Sequence, residues 1–222
     1  MLKGNVSAWI EEGEKSGIDL ARMNEDKHQM RRDVSALGLP AGKSYTFPTS
    51  EINSLEIDKL FELSHYFCRL HHVRKIERPH AKGLKTAEDF RRFCSQYNLS
   101  EYIRFDLEEQ GDVTHSGRII SMPSNPFLPD VCIVELAKGE DPSDRLSHGK
   151  IVPVHAEFDD GIIKYTGDTL PETDERRLVF RAVKCIGGLR SLFPGYYEFD
   201  VWGGARIVFR NYQHSNSPYG RL

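Results

Sequence analysis

The sequence predicts an α+β fold in which an N-terminal helical layer packs on a mainly antiparallel β-sheet or small β-barrel. Segments with helical spacing of apolar residues fall within residues 1–110, and short β-type runs fill residues 111–222. Because helices precede strands instead of alternating with them, a parallel βαβ arrangement is disfavoured. The chain has 222 residues, 39% of them apolar, which is enough to bury the core of one compact unit.

Composition and charge limit the classes of function. Lys and Arg total 30 against 33 for Asp and Glu, so bulk charge indicates no general affinity for nucleic acid, and such a role would need a local basic patch. The four cysteines are far apart and form no CxxC pair, which is typical of reduced thiols in an intracellular protein. The first residues are charged too early for a signal peptide, and no apolar run of about 18 residues follows. We therefore expect a cytoplasmic protein without membrane association.

The first helical stretch covers residues 7–37, where apolar residues recur at helical spacing and predict one or two amphipathic helices. A second helix is predicted by Asn53 and Glu56, which have the spacing of a capping box. The apolar stripe that follows predicts a helix over Leu55–Val73, in a stretch that ends at Pro79.

A third helix is predicted after Thr86, because Asp89 follows it at the capping-box spacing and apolar residues continue to Tyr97. Ser100 has the side chain of a helix N-cap, so we expect a short continuation from Ser100 to Leu107.

Beyond residue 111 the pattern changes to β-type runs separated by turn residues. The Asp159-Asp160-Gly161 segment is the strongest local signal, because Asp-Gly favours the tight turn of a hairpin. Residues 172–186 fit both a helix and a strand, and both remain open. The predicted strands are 118–122, 131–136, 151–158, 162–166, 196–202 and 205–211, and the core candidates are Trp9, Phe61, Phe67, Phe93, Val134, Phe180 and Phe209.

One group of residues has the chemistry of a metal site. His155 and Glu157 are two positions apart in a predicted strand, so alternation places their side chains on one face. His214 follows the last predicted strand, 205–211, and would supply a third ligand. Two imidazoles and one carboxylate on a β scaffold suit iron(II), because they leave open positions for oxygen and a substrate.

The order of these pieces resembles the iron(II)/2-oxoglutarate-dependent oxygenases of the double-stranded β-helix fold. The likeness rests on His155-Ala-Glu157, a Gly187-Gly188 turn, the distal His214 and a final arginine, and it covers only the C-terminal third of the chain. The resemblance implies Fe(II) on His155, Glu157 and His214. It also implies 2-oxoglutarate as cosubstrate, with Arg221 pairing with its far carboxylate.

A different class of function is indicated by the basic stretch within residues 65–85. If this stretch is helical, its cations would form one surface for phosphate groups or for an acidic protein. The alternative to the metal-dependent enzyme is therefore a non-enzymatic binding module that contacts protein or nucleic acid through helix 65–85. An ordinary solvated helix face is the remaining interpretation. The candidate binding residues are Arg69, His72, Arg74, Lys75 and Lys82.

Overall fold

The computed structural model describes residues 27–74, 78–121, 131–147, 149–159, 161–166, 170–190 and 192–214. Within them the chain forms five α-helices and ten β-strands, and the strands form two antiparallel sheets, which confirms the α+β class. The helices are α1 (Lys27–Ala36), α2 (Leu55–Leu63), α3 (Ala87–Cys94), α4 (Pro142–Ser147) and α5 (Thr173–Ile186).

The strands alternate with turns and helices along the whole described chain. They are β1 (Ser44–Pro48), β2 (His65–His72), β3 (His80–Leu84), β4 (Tyr102–Gln110), β5 (Val113–Ser121), β6 (Cys132–Lys138), β7 (Val154–Asp159), β8 (Ile162–Thr166), β9 (Gly195–Trp202) and β10 (Arg206–His214).

Two compact units are present, and the smaller one is residues 42–111. Its four-stranded sheet has the order β1-β4-β2-β3. The apolar face of this sheet packs in one cluster with side chains from α2 and α3. Predicted core residues Phe61 and Phe93 belong to this cluster and are 8% exposed each. The helix predicted after Thr86 is confirmed as α3, whose first turn is capped by a 3.0 Å hydrogen bond from the Asp89 backbone N–H to Thr86 Oγ1.

The helix predicted over Leu55–Val73 is wrong beyond Leu63. Ser64 has an extended backbone, with φ of −159°, and the chain then forms β2. In β2 the buried Tyr66, Cys68 and Leu70 occur at every second position, which is the period of a strand. The basic stretch is thus made of two strands, β2 and β3, and not of a helix.

The helical continuation expected from Ser100 to Leu107 is also wrong. Only a short 3-10 turn forms, over Leu99–Glu101, and β4 follows. Phe105 and Leu107 are buried in the core while Arg104 and Asp106 alternate with them, so period-two alternation decides the structure here too.

The larger unit comprises the described parts of residues 1–41 and 112–222. Its six-stranded sheet has the order β10-β9-β5-β6-β7-β8, so the strands predicted in the second half of the chain are confirmed. Side chains from α1 and α5 pack on one face of this sheet in a single apolar cluster. The segment left open at 172–186 is the helix α5, opened by a reciprocal capping box between Glu172 and Glu175.

The five remaining core predictions have different outcomes. Val134 and Phe209 are buried in the core of the larger unit. Phe180 is 51% exposed, because it lies on the outer side of α5, whose buried side includes Leu178, Val179 and Ala182. Phe67 is partly buried on β2, and Trp9 lies outside the described residues.

No helix within the described ranges is long and apolar enough to cross a membrane.

Candidate functional site

The face of the larger sheet opposite its apolar core is polar. On β9 the side chains of Tyr197 and Phe199 enter the core, and the intervening Glu198 and Asp200 therefore project from the other face. Strand β9 therefore has an apolar face that packs in the core and an acidic face on the other side of the sheet. We call this second surface the polar face.

A row of polar side chains crosses five strands on the polar face. Asn211 is paired directly with Glu198, Glu198 with Arg118, Arg118 with Glu135, and Glu135 with His155. Residues opposite each other in antiparallel strands lie on the same face with adjacent side chains. Strand register therefore brings together residues that are as distant as 118 and 211 in the sequence.

Glu198 lies between Asn211 and Arg118 in this row. Its Oε1 accepts a 2.7 Å hydrogen bond from the Tyr196 hydroxyl, and its Oε2 accepts one from Asn211 Nδ2. Burial alone would raise the pKa of Glu198. The positive charge of Arg210, these hydrogen bonds and the charge of Arg118 outweigh burial and lower the pKa.

Asp200 is held by two donors. Ser116 Oγ donates to Oδ1 at 2.6 Å, and Arg210 Nη1 donates to Oδ2 at 2.9 Å. The Asp200 side chain is 5% exposed, whereas the Arg210 side chain is 37% exposed. The carboxylate is therefore buried behind a guanidinium that reaches solvent.

A β-bulge places Arg210 in this position. Phe209 pairs with Phe199 and Asn211 pairs with Glu198, so Arg210 is the additional residue between them. The bulge keeps Phe209 in the apolar core while both Arg210 and Asn211 reach acids of the polar face. Bulges commonly redirect a side chain next to functional sites.

Asn211 carries an unsatisfied acceptor. Because a carboxylate only accepts, the hydrogen bond to Glu198 requires the amide nitrogen of Asn211 on that side and directs Oδ1 away. That oxygen is buried and has no hydrogen-bond partner among the described residues, in a side chain that is 2% exposed. A buried acceptor without a partner costs free energy, so a donor from a ligand or a water would stabilise it.

Glu135 and His155 continue the row. His155 Nδ1 lies 3.7 Å from Glu135 Oε1. Burial raises the pKa of Glu135, and the neighbouring His155 and Arg118 only partly oppose the shift. Glu135 is thus the acid of the row that keeps its proton most readily.

Helix α4 covers one side of the polar face. Arg118 Nη2 donates a 2.6 Å hydrogen bond to Ser147 Oγ on this helix, and Ser147 in turn donates to the Ser143 carbonyl at 2.8 Å. Between α4 and the strands is a small pocket whose lining includes the arginines Arg118 and Arg210 and the acids Glu198 and Asp200. It is lined by Ser116, Gly117, Arg118, Ser143, Leu146, Glu198, Phe199, Asp200 and Arg210.

The structure does not assemble the predicted iron site. His155 and Glu157 do share one face of β7, but His214 is at the end of β10, where its Nδ1 lies 2.8 Å from the Tyr212 hydroxyl oxygen. Strands β9, β5 and β6 lie between β10 and β7. At about 4.8 Å per strand, these histidines are roughly 19 Å apart, far beyond coordination distance.

A metal site is absent more generally from the described ranges, in which no three His, Cys, Asp or Glu side chains come together to hold a metal ion. Arg221, the residue expected to bind 2-oxoglutarate, lies outside those ranges. The sheet of the larger unit is also open, because β10 and β8 are its two edge strands and do not pair with each other. It is therefore not a double-stranded β-helix.

The basic residues of 65–85 do not form one binding surface either. Arg69 lies 3.8 Å from Glu108, and His72 lies 3.4 Å from Glu101. Positions 69 and 72 are an odd number of residues apart in β2, so alternation directs their side chains to opposite faces. Of the others, Arg74 is exposed after β2, Lys82 is exposed on β3, and Lys75 lies outside the described residues. The contact helix of the predicted binding module therefore does not exist.

Sequence reasoning missed Glu198, Asp200 and Asn211. The sequence did contain one signal, since Glu198 and Asp200 are the only charged residues in the run Gly195–Trp202 and are two positions apart. That spacing puts both acids on one face of a strand, as it does for the pair at 155 and 157.

Comparisons with known proteins find no matching family model and no matching curated protein. Among solved structures, the D-alanine–D-alanine ligase of Bacillus anthracis complexed with ATP is similar, with a TM-score of 0.42, 12% identity and coverage of 86% of this chain and 56% of that one. The VanG D-Ala:D-Ser ligase of Enterococcus faecalis is similar with a TM-score of 0.45 and 16% identity, and the match covers 89% of this chain and 56% of that one. The ADP complex of PurK, an N5-carboxyaminoimidazole ribonucleotide synthetase, is similar with a TM-score of 0.44 and 10% identity, and the match covers 88% of this chain and 47% of that one. The chain spans about half the length of these structures.

The geometry overturns the resemblance to the 2-oxoglutarate oxygenases, because the larger sheet is open, with β10 at one edge and β8 at the other. The separation of His155 from His214 independently removes the iron ligand set. The resemblance to the oxygenases is therefore wrong, and so are Fe(II) and 2-oxoglutarate as cofactors.

Proposed function

We propose that the polar face of the larger unit binds a phosphate-bearing anion, and that ATP is the ligand to test first. The observation that carries the proposal is a pair of arginines, Arg118 and Arg210, on the wall of one pocket, with their guanidinium groups held near the carboxylates of Glu198 and Asp200. Arginine is the residue best suited to phosphate, because its planar guanidinium matches two oxygens of the group at once.

The buried Asp200 supports this role by fixing Arg210 in place. Arg210 is anchored to Asp200, which is itself held by Ser116, while 37% of the Arg210 side chain remains exposed. A side chain ordered before the ligand arrives loses less conformational entropy on binding.

Asn211 favours a ligand that has a donor as well as an anion. Its Oδ1 is a buried acceptor with no partner in the described structure, and it lies beside Glu198 in the same row. A nucleotide has both kinds of group, since its phosphates are anionic and its sugar hydroxyls and base amino groups donate. ATP is chosen first because two of the similar structures contain ATP or ADP, while the proposal itself rests on these side chains.

The test is ATP binding measured by isothermal titration calorimetry on the full chain and on single variants. Arg118→Gln and Arg210→Gln are each expected to weaken ATP binding about 10- to 100-fold, because a hydrogen bond between charged groups contributes about 1.5–3 kcal/mol. Arg177→Gln is the matched control, since Arg177 is an arginine with a 74% exposed side chain on α5, away from the polar face. The proposal fails if the wild-type chain does not bind ATP at millimolar concentration, or if all three variants bind it equally.

A further inference from the structure

The polar face carries oxygen atoms of the kind that bind Mg²⁺ or Mn²⁺. If a metal ion can bind these oxygens, the ion would balance the negative charge of the ligand; if not, side chains must do so. The carboxylate of Glu198 lies beside the amide of Asn211, and Asp200 is two positions further along the same face of β9. Magnesium sites in nucleotide-binding proteins commonly use one or two carboxylates together with phosphate oxygens. Each oxygen has to be open on the side where the ion would sit.

Both oxygens of Asp200 already accept a hydrogen bond from the protein. Oδ1 accepts from Ser116 at 2.6 Å, and Oδ2 accepts from the Arg210 guanidinium at 2.9 Å. A magnesium ion bound about 2.0–2.1 Å from Oδ2 would lie against the Arg210 guanidinium, whose like charge repels it, so Arg210 would have to move. Displacing Arg210 would break a charge-assisted hydrogen bond to a carboxylate that is only 5% exposed.

Glu198 is occupied in the same way. Tyr196 donates to one carboxylate oxygen and Asn211 to the other, and the charges of Arg210 and Arg118 both act on this group. The remaining oxygen of the set is Asn211 Oδ1, which is neutral. One neutral oxygen beside two guanidinium groups does not fit a doubly charged ion, because like charges repel and magnesium needs carboxylate ligands.

We infer that the guanidinium groups of Arg118 and Arg210 stand in the place of a divalent cation on this face, so that its anionic ligand binds without a metal ion. The inference deepens the proposed function and rests on it. Arg210 neutralises Asp200 within the protein and presents positive charge to the ligand, which is the electrostatic role of a bound metal.

The first measurement follows the metal ion without any nucleotide. Manganese binding is recorded by electron paramagnetic resonance on the wild-type chain, Arg210→Gln and Arg210→Lys. The wild type and Arg210→Lys are expected to leave Mn²⁺ free, because a cation still covers Asp200. Arg210→Gln is expected to bind Mn²⁺ at least tenfold more tightly than the wild type, and Arg210→Gln combined with Asp200→Asn should abolish the gain. Circular dichroism melts identify any variant that does not fold.

The second measurement is ATP titration of the wild type in EDTA and in excess MgCl₂. Equal or tighter binding in EDTA supports the inference, since magnesium removes negative charge from ATP. Binding at least tenfold tighter with magnesium overturns it, and so does wild-type Mn²⁺ binding that Asp200→Asn removes. Failure to bind ATP under both conditions defeats the proposed function, whereas the manganese result alone decides whether Arg210 excludes a cation from Asp200.

Discussion

The two sheets both carry charged side chains on the face opposite their apolar core, but they balance that charge differently. In the smaller unit Asp106 is 1% exposed, and its oxygens accept from Thr46 Oγ1 at 2.9 Å and face His71 Nε2 at 2.6 Å. In the larger unit the charge is spread over a row of five strands, and the acceptor oxygen of Asn211 is left without a partner in the described structure.

The difference separates a stabilising cluster from a binding surface. A buried carboxylate with donors on both oxygens gains nothing further from a ligand, and its charge is compensated within the fold. A row with an unsatisfied acceptor and a guanidinium that is 37% exposed can gain contacts when a ligand arrives. We therefore expect changes in the smaller cluster to alter stability, and changes in the larger row to alter binding as well.

The largest expected effect is at Asp106. Asp106→Ala removes the partner of both His71 and Thr46, and leaves His71, which is 7% exposed, without its carboxylate. Asp106 accepts two hydrogen bonds, and a hydrogen bond to a carboxylate contributes about 1.5–3 kcal/mol, so the free energy of unfolding in urea should fall by about 3–6 kcal/mol. Glu88→Ala is the control, because the Glu88 side chain is 83% exposed in its pair with Arg92 and should change stability by about 0.5 kcal/mol or less. Equal losses of unfolding free energy in the two variants would show that the hydrogen bonds of Asp106 stabilise the fold no more than an exposed ion pair does.

A smaller loss of stability is expected at Gly117, which precedes Arg118 of the polar row on β5. A Cβ at this position would lie 2.3 Å from Phe199 Cζ and 2.7 Å from the Glu135 carbonyl oxygen. Gly117→Ala should therefore destabilise the fold by about 1–3 kcal/mol through overpacking. It should also weaken ATP binding, because the residue lies between Ser116 and Arg118 on β5.

Gly188→Ala is the matched control, since a Cβ there has no neighbour within 4 Å among the described atoms. We expect it to keep both stability and ATP affinity. A Gly117→Ala variant that is destabilised but binds ATP normally would show that the register of β5 does not control the binding surface.

Local sequence patterns predicted most of the larger unit and little of its site. Asp159–Gly161 marked the β7–β8 hairpin correctly, because a tight turn is determined by its own residues. Residues 65–72 were misread as helix because Phe67 and Leu70 also fit a helical stripe, and packing against β4 settles the strand. The row from Asn211 to His155 depends on the register between five strands, and no local pattern specifies such long-range pairing.

The smallest expected effect is a difference in pH dependence between two acids of the row. Glu198 has a lowered pKa in the folded protein, so it contributes stability above its ordinary value of about 4.5, and this contribution is lost as pH falls below that value. Glu135 has a raised pKa, so the folded chain holds this proton more tightly than the unfolded chain. Stability from Glu135 therefore decreases as pH rises above about 4.5.

Urea unfolding of the wild type, Glu198→Gln and Glu135→Gln between pH 4 and 8 measures both contributions. The advantage of the wild type over Glu198→Gln should grow with pH, whereas its advantage over Glu135→Gln should shrink. If both stability differences changed with pH in the same direction, the two acids would share one environment. Adding His155→Gln sharpens the result, because His155 lowers the pKa of Glu135, and its removal should extend the Glu135 slope to higher pH while leaving the Glu198 slope unchanged.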